Sequence, residues 1–325
     1  MRFIITGGSG FVGRHLIRKL HTLFPTTEIH NIDINQSDEL LGFSTHHDID
    51  ISDKSSFSSF KFDDDDVVFH LAAHIFHPQT PYRTKRLTYF DKLNVGGTRN
   101  LIDCMKQNNV RRLAFLSTCM VYGVPKRKII KTNHALKPNG PYGSTKVAAE
   151  KLLNDFSEKK NNHVLIFRPG LIAGPGRFGL LGKLSFLIKN NLPIPMIGSG
   201  LNRYQFISIY DCVDALIQFI ELDFPSGTYN LGSKNPPIIK DLLNSLIEFS
   251  GSKSFLMPTW GYGVKTILNL LDMLNLTLMY PEQFLLADSE FVLEISDLED
   301  ELGFVPKYND EDMLIEAYKS YLQEF

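Results

Sequence analysis

The chain has 325 residues, 43% of them hydrophobic, and a formal net charge of −2. This length and apolar content predict a globular protein with one large α/β domain and a smaller lobe, while the charge supplies no basic field for nucleic acid or an anionic membrane surface. Because an apolar run begins at the third residue and no run is long enough to cross a bilayer, we expect no signal peptide, no membrane span and a cytoplasmic location.

The N-terminal residues predict a strand, a glycine turn and a helix. Residues 3–5 are apolar, three glycines follow, and helical periodicity starts at Phe11. In this arrangement Gly7 permits the tight turn, Gly10 lets the backbone approach a pyrophosphate, and Gly13 lets the helix pack closely on the strand. The positive end of the helix then faces the phosphates. The candidate residues for this contact are Gly7, Gly10, Phe11, Val12 and Gly13.

An acidic residue ends the second predicted strand. Residues 28–32 have a strand-like pattern that ends at Asp33, 20 residues after Gly13. A carboxylate at this place accepts hydrogen bonds from an adenosine ribose. No basic residue lies between Ile34 and Leu41 to compensate the charge of a 2′-phosphate. The sequence therefore predicts NAD rather than NADP as the cofactor.

Small residues follow the next predicted strand, residues 67–70. Ala72 and Ala73 allow a cofactor to approach the backbone closely. The histidines within residues 70–77 have a spacing that a metal could use, but the end of a buried strand accounts for this segment better, and we expect no metal. The three cysteines of the chain are too few and too scattered for a disulfide framework, so free thiols are expected.

A central strand over residues 112–117 ends in hydroxyl groups and follows a long helical segment over residues 88–106. Ser117 and Thr118 would lie at the carboxyl end of this strand. Ligands of open α/β sheets bind at that edge. We therefore interpret Thr118 as a residue of the active site rather than one that only satisfies a local backbone group.

Tyr142 and Lys146 lie four residues apart at the start of a helix that is predicted to run through Phe156. This spacing places the phenol and the ammonium on one helical face. The ammonium and a cationic nicotinamide ring are expected to favour the ionised phenol, and so to lower its pKa towards the working range of a general base.

The alternation of strands and helices ends near residue 170. Residues 1–170 are expected to form a dinucleotide-binding domain, a doubly wound parallel sheet of the Rossmann type, with further strands from about residues 200–235. Residues 171–325 are expected to form mainly a smaller substrate-binding lobe of mixed α/β structure. Residues 263–280, which are rich in Leu and Met, favour a packed helix over a membrane-surface or lipid-pocket role.

Together these motifs resemble the extended short-chain dehydrogenase/reductases, and among them the NAD-dependent epimerase/dehydratase family. The matching residues include the glycine turn, Asp33, Asp48-Ile49, His70-Leu71-Ala72-Ala73, Asn94, Thr118, Tyr142 and Lys146. The resemblance implies NAD as the cofactor, Tyr142 as the acid/base, and Thr118 as the residue that holds the reacting hydroxyl or carbonyl. It also implies a homodimer, in which helices over residues 88–106 and 142–156 pair with their symmetry mates.

The resemblance further implies a set of binding residues. Asp48 and Ile49 would frame the adenine, and Ala72 and Lys146 would lie along the nicotinamide ribose. The remaining candidates for cofactor binding are Leu71, Ala73, Asn94, Ser117, Tyr142 and Pro169. The candidates for binding a small-molecule substrate are His74, Thr118, Gly170, Leu171, Arg177 and Arg203.

The sequence departs from the family where the substrate is bound. Sugar 4,6-dehydratases carry an Asp-Glu pair after the catalytic threonine, whereas this chain has Cys119 and Met120, so the acid and base for water elimination are missing. Leu171 stands where nucleotide-sugar enzymes usually have an asparagine. The positions that usually hold diphosphate-binding arginines hold none, which leaves Arg177 or Arg203 as substitutes out of register.

Three functions remain open. The sequence favours a nucleotide-sugar 4-epimerase or 4-ketoreductase. Residues 168–176 and the Leu-rich stretch after Trp260 look more like the 3β-hydroxysteroid dehydrogenase and dihydroflavonol reductase branch, which makes a dehydrogenase of an apolar alcohol the second possibility. The third is a non-catalytic NAD-sensing protein, which the intact Thr118, Tyr142 and Lys146 disfavour.

Overall fold

Seven parallel strands form one sheet at the centre of the protein. The computed structural model describes residues 1–57, 59–77, 79–125, 127–159 and 161–325. From one edge of the sheet to the other, with strands numbered along the chain, the order is β11 (Gly227–Leu231), β7 (His163–Pro169), β5 (Arg112–Leu116), β4 (Val67–His70), β1 (Phe3–Thr6), β2 (Ile29–Asp33) and β3 (Thr45–Asp48). This order confirms the predicted doubly wound sheet of the Rossmann type.

Helices cover both faces of the sheet, because its central strands are buried on both sides. One face is covered by α1 (Phe11–Leu23) and α7 (Ile209–Glu221). The other face is covered by α2 (Lys54–Phe57), α4 (Thr98–Gln107) and α5 (Pro141–Ser157). The glycine turn and the start of α5 are thereby held at the same edge of the sheet.

The helical segment predicted over residues 88–106 contains one wide turn. α3 (Arg86–Asp91) leads into π-helical residues Lys92–Gly97, and α4 follows directly. Asn94 lies in this wide turn and is buried. π-helical turns are rare and often mark functional sites.

The remaining strands form three short parallel pairs outside the main sheet. They are β8 (Leu171–Ala173) with β10 (Phe206–Ser208), β9 (Ile194–Ile197) with β12 (Leu256–Thr259), and β6 (Ile129–Ile130) with β13 (Val292–Leu293). Of the strands expected over residues 200–235, β11 joins the main sheet, whereas β10 pairs with β8.

Further helices come from the C-terminal half of the chain. They are α6 (Gly179–Lys189), α8 (Ile239–Ser250), α9 (Gly261–Met273), α10 (Pro281–Phe284), α11 (Ser296–Leu302) and α12 (Asp310–Glu324). Apolar side chains of α6, α8 and α12 form a separate core with β9 and β10. This second core gives the C-terminal half its own source of hydrophobic stabilisation.

Most apolar side chains of α9 face solvent. Tyr262, Ile267 and Leu270 are 73%, 58% and 54% exposed, and the side chain that α9 buries is Asp272. The prediction of a packed helix over residues 263–280 is therefore wrong for most of α9.

Within the described ranges, every helix is too short or too polar to span a lipid bilayer.

Candidate active site

The glycine turn forms a tight cradle between β1 and α1. Gly7 has a φ of +74°, and a Cβ atom there would lie 2.6 Å from the Cα atom of Ala72. A Cβ atom at Gly13 would lie 2.5 Å from the carbonyl oxygen of Gly7. Gly10 is the N-cap of α1 and has no side chain to cap the helix. The N–H groups of the first turn are therefore suited to an anion such as a pyrophosphate.

A cavity of about 240 Å³ opens beside this turn, at the carboxyl ends of the central strands. Ligands bind at this edge of open α/β sheets. The cavity brings together most of the residues singled out from the sequence: Gly7, Gly10, Phe11, Val12, Gly13, Leu71, Ala73, Ser117, Thr118, Tyr142, Lys146, Pro169, Gly170, Leu171 and Arg177.

Asp33 lies next to the glycine turn rather than in the cavity wall. Its carboxylate accepts hydrogen bonds from the backbone N–H groups of Ser9 at 3.1 Å and Asn35 at 3.0 Å. Burial raises the pKa of Asp33, and these two hydrogen bonds act against the shift. Asp48 stands opposite Asp33 in the register of β2 and β3. Both acids thus lie beyond the turn, on the side where the adenosine is predicted.

Asn94 and His74 bind each other and are not among the residues that line the cavity. Asn94 Oδ1 accepts the His74 N–H at 2.8 Å, and Asn94 Nδ2 donates to the His74 carbonyl oxygen at 3.2 Å and to Thr145 Oγ1 at 3.1 Å. The His74 ring stacks on Tyr89 with their centroids 4.0 Å apart. These contacts anchor the loop after β4 to α5.

Three other candidates also lie outside the cavity wall. The guanidinium of Arg203 pairs with Glu290, with Nε 3.1 Å from Oε1, and its side chain is 51% exposed. Ile49 is buried in the core between the sheet and α4. Ala72 meets the glycine turn through its backbone, at Gly7. The structure therefore does not place Arg203 where the diphosphate of a substrate was predicted to bind.

Tyr142 and Thr118 lie together at the centre of the cavity. Thr118 follows β5, and Tyr142 lies in the first turn of α5, where its ring contacts Phe76 with centroids 5.6 Å apart. Burial, followed by the negative charge of Glu282, raises the pKa of Tyr142. Hydrogen bonding by the Thr118 hydroxyl and the positive charge of Arg177 act in the opposite direction. The phenol is therefore neutral at physiological pH in the protein alone.

Lys146 directs its ammonium towards the sheet. Nζ donates to the Leu116 carbonyl oxygen at 2.8 Å and lies 3.9 Å from the centre of the Phe115 ring. Burial lowers the pKa of Lys146 to about 7, against the effect of the nearby Glu150. The Lys146 ammonium was expected to lower the pKa of Tyr142, but the pKa of this phenol is raised. A lowering of the same pKa by a cationic nicotinamide ring stays a prediction.

A buried ion pair supports the floor of the cavity. Arg168 donates to both carboxylate oxygens of Glu150, with Nη2 to Oε2 at 2.7 Å and Nε to Oε1 at 3.0 Å. The guanidinium also donates to the Tyr122 hydroxyl at 2.9 Å. The Ser117 hydroxyl hydrogen-bonds to the same carboxylate. Ser117 thus lines the cavity while its hydroxyl belongs to the network beneath it.

Arg177 brings a cation to the cavity. Its guanidinium carbon lies 5.4 Å from the centre of the Phe11 ring, beside the glycine turn. Burial lowers the pKa of Arg177, and the charge that acts on it among the described residues is that of Tyr142. A desolvated guanidinium in such a place favours an anionic ligand.

Comparison with known proteins agrees with this geometry. Residues 3–232 match the NAD dependent epimerase/dehydratase family. Human dTDP-D-glucose 4,6-dehydratase is 28% identical over 264 residues, which cover 76% of this chain and 73% of that protein. The uncharacterized protein y4nG of Sinorhizobium fredii is 28% identical over 325 residues, which cover 98% of this chain and 78% of that protein. UDP-glucuronic acid 4-epimerase from Bacillus cereus, solved with UDP-glucuronic acid and NAD, has a TM-score of 0.79 at 21% identity, with 100% of both chains covered.

The chain belongs to the NAD-dependent epimerase/dehydratase family. The resemblance drawn from the motifs is thereby confirmed, and the chain is an NAD-dependent enzyme of the extended short-chain dehydrogenase/reductase type. The alternative of a non-catalytic NAD sensor is set aside.

Two cavity residues stand at the positions where the resemblance to sugar 4,6-dehydratases implies an Asp-Glu pair. Cys119 and Met120 line the cavity after Thr118. Burial raises the pKa of the Cys119 thiol to about 12, although hydrogen bonding with Tyr204 acts against the shift. The Cys119 thiol is therefore protonated at neutral pH, and neither it nor the Met120 thioether is a base there.

Sequence reasoning missed several residues of the cavity wall. They are Ile75, Phe76, Leu116, Cys119, Met120, Ile172, Tyr204 and Gln283. Leu116 and Ile172 adjoin predicted residues, so their neighbours could have indicated them. Cys119 and Met120 are named from the sequence only as departures from a family pattern, and Tyr204 occupies one of the positions that usually hold a diphosphate-binding arginine. Gln283 has no local signal, because α10 reaches the cavity only through tertiary packing.

Proposed function

We propose that this enzyme moves a hydride between NAD and a secondary alcohol or ketone of a nucleotide sugar, as a 4-epimerase or a 4-ketoreductase. One observation carries the proposal: a single cavity collects Thr118, Tyr142 and Lys146 beside the glycine turn, and its described lining residues include no carboxylate. Without a carboxylate pair, elimination of water is disfavoured. Relatives and structural neighbours named as nucleotide-sugar enzymes support this substrate class.

Each of the three residues has a distinct task in this chemistry. NAD, when bound, supplies the site that accepts the hydride and returns it. The Tyr142 phenolate takes the proton of the substrate hydroxyl as the hydride leaves, and gives it back when the ketone is reduced. The Thr118 hydroxyl orients the reacting oxygen by a hydrogen bond and favours the ionised phenol, and Lys146 is assigned to the nicotinamide ribose.

We assign the diphosphate of the substrate to Arg177. This guanidinium lines the cavity between the glycine turn and Tyr142, whereas Arg203 is committed to Glu290. Among the described residues no carboxylate pairs with Arg177, so burial of its cation costs free energy, which an anionic group of the ligand would offset. Arg177→Leu is accordingly expected to raise KM for a nucleotide sugar more than it lowers kcat.

A dehydrogenase of an apolar alcohol is the second candidate function. It is favoured by the apolar side chains that line the cavity beyond Thr118, which are Ile75, Phe76, Met120, Leu171 and Ile172. Such a wall would bury a hydrocarbon surface well, because apolar contact stabilises in proportion to the area removed from water.

Ligand-induced stabilisation and turnover together test the two candidates. The protein is mixed with UDP-, dTDP-, CDP- and GDP-sugars or with sterols in the presence of NAD, and with 4-keto sugars in the presence of NADH, and thermal unfolding and product formation are followed. A ligand present at a hundred times its Kd stabilises the folded state by about 2.7 kcal/mol. We expect a nucleotide sugar to raise the Tm and to be epimerised, or its 4-keto form to be reduced. Turnover of a sterol alone would support the second candidate, and turnover of neither class would reject both.

A further inference from the structure

Helix α5, which carries Tyr142 and Lys146, begins with residues that cannot cap it. Gly140 at the N-cap has no side chain, and Pro141 at the first helical position has no N–H. The first intrahelical bond joins the Ser144 N–H to the Gly140 carbonyl oxygen at 3.1 Å. The N–H groups of Tyr142 and Gly143 therefore need an acceptor from outside the helix.

Glu282 of α10 supplies both acceptors. Its Oε1 accepts the Tyr142 N–H and its Oε2 accepts the Gly143 N–H, each at 2.8 Å, and its side chain is 2% exposed. A Cβ atom at Gly140 would lie 2.6 Å from Glu282 Oε1, so the absence of a side chain there lets the carboxylate approach. The positive end of the helix dipole adds to this attraction.

The residues on either side of Glu282 contact the active site. Gln283 lines the cavity. The Tyr280 ring stacks on Phe76 with centroids 4.3 Å apart, and Phe76 in turn contacts the Tyr142 ring. One short segment therefore lines the substrate space, supports the ring of Tyr142 through Phe76, and binds the backbone of Tyr142.

We propose that Glu282 is a positioning residue of the reaction, which holds the first turn of α5 so that the Tyr142 phenol points correctly at the reacting hydroxyl. Its kinetic consequences rest on the proposed function. Glu282 acts through Tyr142, since it is not among the residues that line the cavity. A displacement of a catalytic group by about 1 Å can lower a rate about 100-fold, so this anchoring has a measurable effect.

The charge of Glu282 gives the proposal a second readout. After burial, this charge is the largest cause of the raised pKa of Tyr142. Burial raises the pKa of Glu282 itself to about 6, against its two backbone hydrogen bonds and the positive charge of Arg86, which is paired with Asp272. The other groups that act on the phenol are Arg177, Cys119 and Thr118. Removal of the carboxylate charge should therefore move the Tyr142 limb of the pH profile to lower pH.

Glu282→Gln tests both readouts, because it keeps the side-chain volume and one acceptor oxygen but loses the charge. We expect kcat to fall about 10- to 100-fold and KM to change less than about twofold, with the pH limb shifted downwards. Glu282→Asp keeps the charge and should restore the limb and part of kcat.

Asp211→Asn is the matched control: the buried Asp211 carboxylate also accepts two adjacent backbone N–H groups, those of Lys307 and Tyr308 at 3.0 Å each, but away from the cavity. Its kcat per folded molecule and its pH limb should match the wild type.

The proposal would be overturned if Glu282→Gln had a normal kcat and an unchanged Tyr142 limb in its pH profile. It would also be overturned if the variant changed only KM or only the amount of folded protein. If the wild type turns over no nucleotide sugar, the proposed function fails by itself. Amide hydrogen exchange then decides the role of Glu282. Faster exchange at Tyr142 and Gly143 in Glu282→Gln, with no change in Asp211→Asn, supports the anchor, and unchanged exchange at both amides removes it.

Discussion

Tyr142 is the residue on which the proposed chemistry depends, and its surroundings oppose its ionisation. Burial disfavours a charged phenolate, and the negative charge of Glu282 adds to this effect. Thr118 and Arg177 favour the phenolate but do not outweigh burial. In the protein alone these surroundings keep the phenol protonated at neutral pH.

Tyr142→Phe is expected to lower kcat by about 100-fold or more while NAD affinity changes less than about twofold, because the phenolic oxygen acts mainly on the transition state. Thr118→Val should lose less, since it removes one orienting hydrogen bond. Steady-state kinetics and a cofactor titration measure the two effects. Tyr229→Phe is the control, as this phenol binds Glu301 outside the cavity. Near-normal turnover by Tyr142→Phe would falsify the assignment of the acid/base.

Asp33 is expected to set the preference for the cofactor. The wild type should bind NAD at least about tenfold more tightly than NADP, because the carboxylate next to Ser9 would repel a 2′-phosphate. Asp33→Asn should narrow this ratio, whereas Asp38→Asn, in an exposed turn nearby, should leave it unchanged. Fluorescence titration with both cofactors gives the ratio. Equal or tighter binding of NADP by the wild type would contradict the prediction.

At the scale of secondary-structure elements, buried charges join the C-terminal helices to the helices of the Rossmann fold. Arg86 of α3 donates to both oxygens of Asp272 in α9, at 3.0 and 2.7 Å. Glu282 of α10 holds the start of α5 in a similar way. A buried charge without partners costs free energy, so the Arg86–Asp272 pair and the hydrogen bonds of Glu282 favour these helix contacts.

Asp272→Asn is expected to lower the free energy of unfolding by about 3 kcal/mol, because it leaves the Arg86 guanidinium buried without a counter-charge. The matched control is Glu316→Gln, which removes a pair with Lys319 at the surface and should cost less than about 1 kcal/mol. Urea unfolding of both variants measures the difference. A similar small effect in the two variants would show that the buried pair adds nothing beyond a surface pair.

At the scale of the whole molecule, the cavity lies where the carboxyl edge of the main sheet meets the C-terminal half of the chain. The sheet side contributes the glycine turn and Thr118, and the C-terminal side contributes Arg177, Tyr204 and Gln283. The two sides have separate hydrophobic cores.

The enzyme is expected to form a homodimer through the outer faces of α4 and α5, with a mass of twice 36.9 kDa at micromolar concentration. Ala148 lies on the outer face of α5 with the exposed Ser144 and Lys151. Ala148→Arg should place a charge in the interface and yield monomers. Gln218→Arg, on α7 at the other face of the sheet, should leave the dimer intact. Light scattering coupled to size-exclusion chromatography measures both masses, and a monomeric wild type would contradict the dimer.

The sequence by itself determined the elements whose signals are local. The strand, glycine turn and first helix, the acid at Asp33, the hydroxyl at Thr118 and the spacing of Tyr142 and Lys146 could all be predicted, because periodicity and backbone requirements act over a few residues. The doubly wound sheet followed from the same rhythm. These predictions located most of the cavity wall before its geometry was known.

Only the tertiary structure decided which distant groups surround those residues. It directs the Lys146 ammonium to the Leu116 carbonyl, commits Arg203 to Glu290, and brings Glu282 onto the start of α5. A periodic pattern reports which face of a segment is buried, but not which segment covers it. The pKa values in the cavity depend on that cover, since desolvation and charge act through space rather than along the chain.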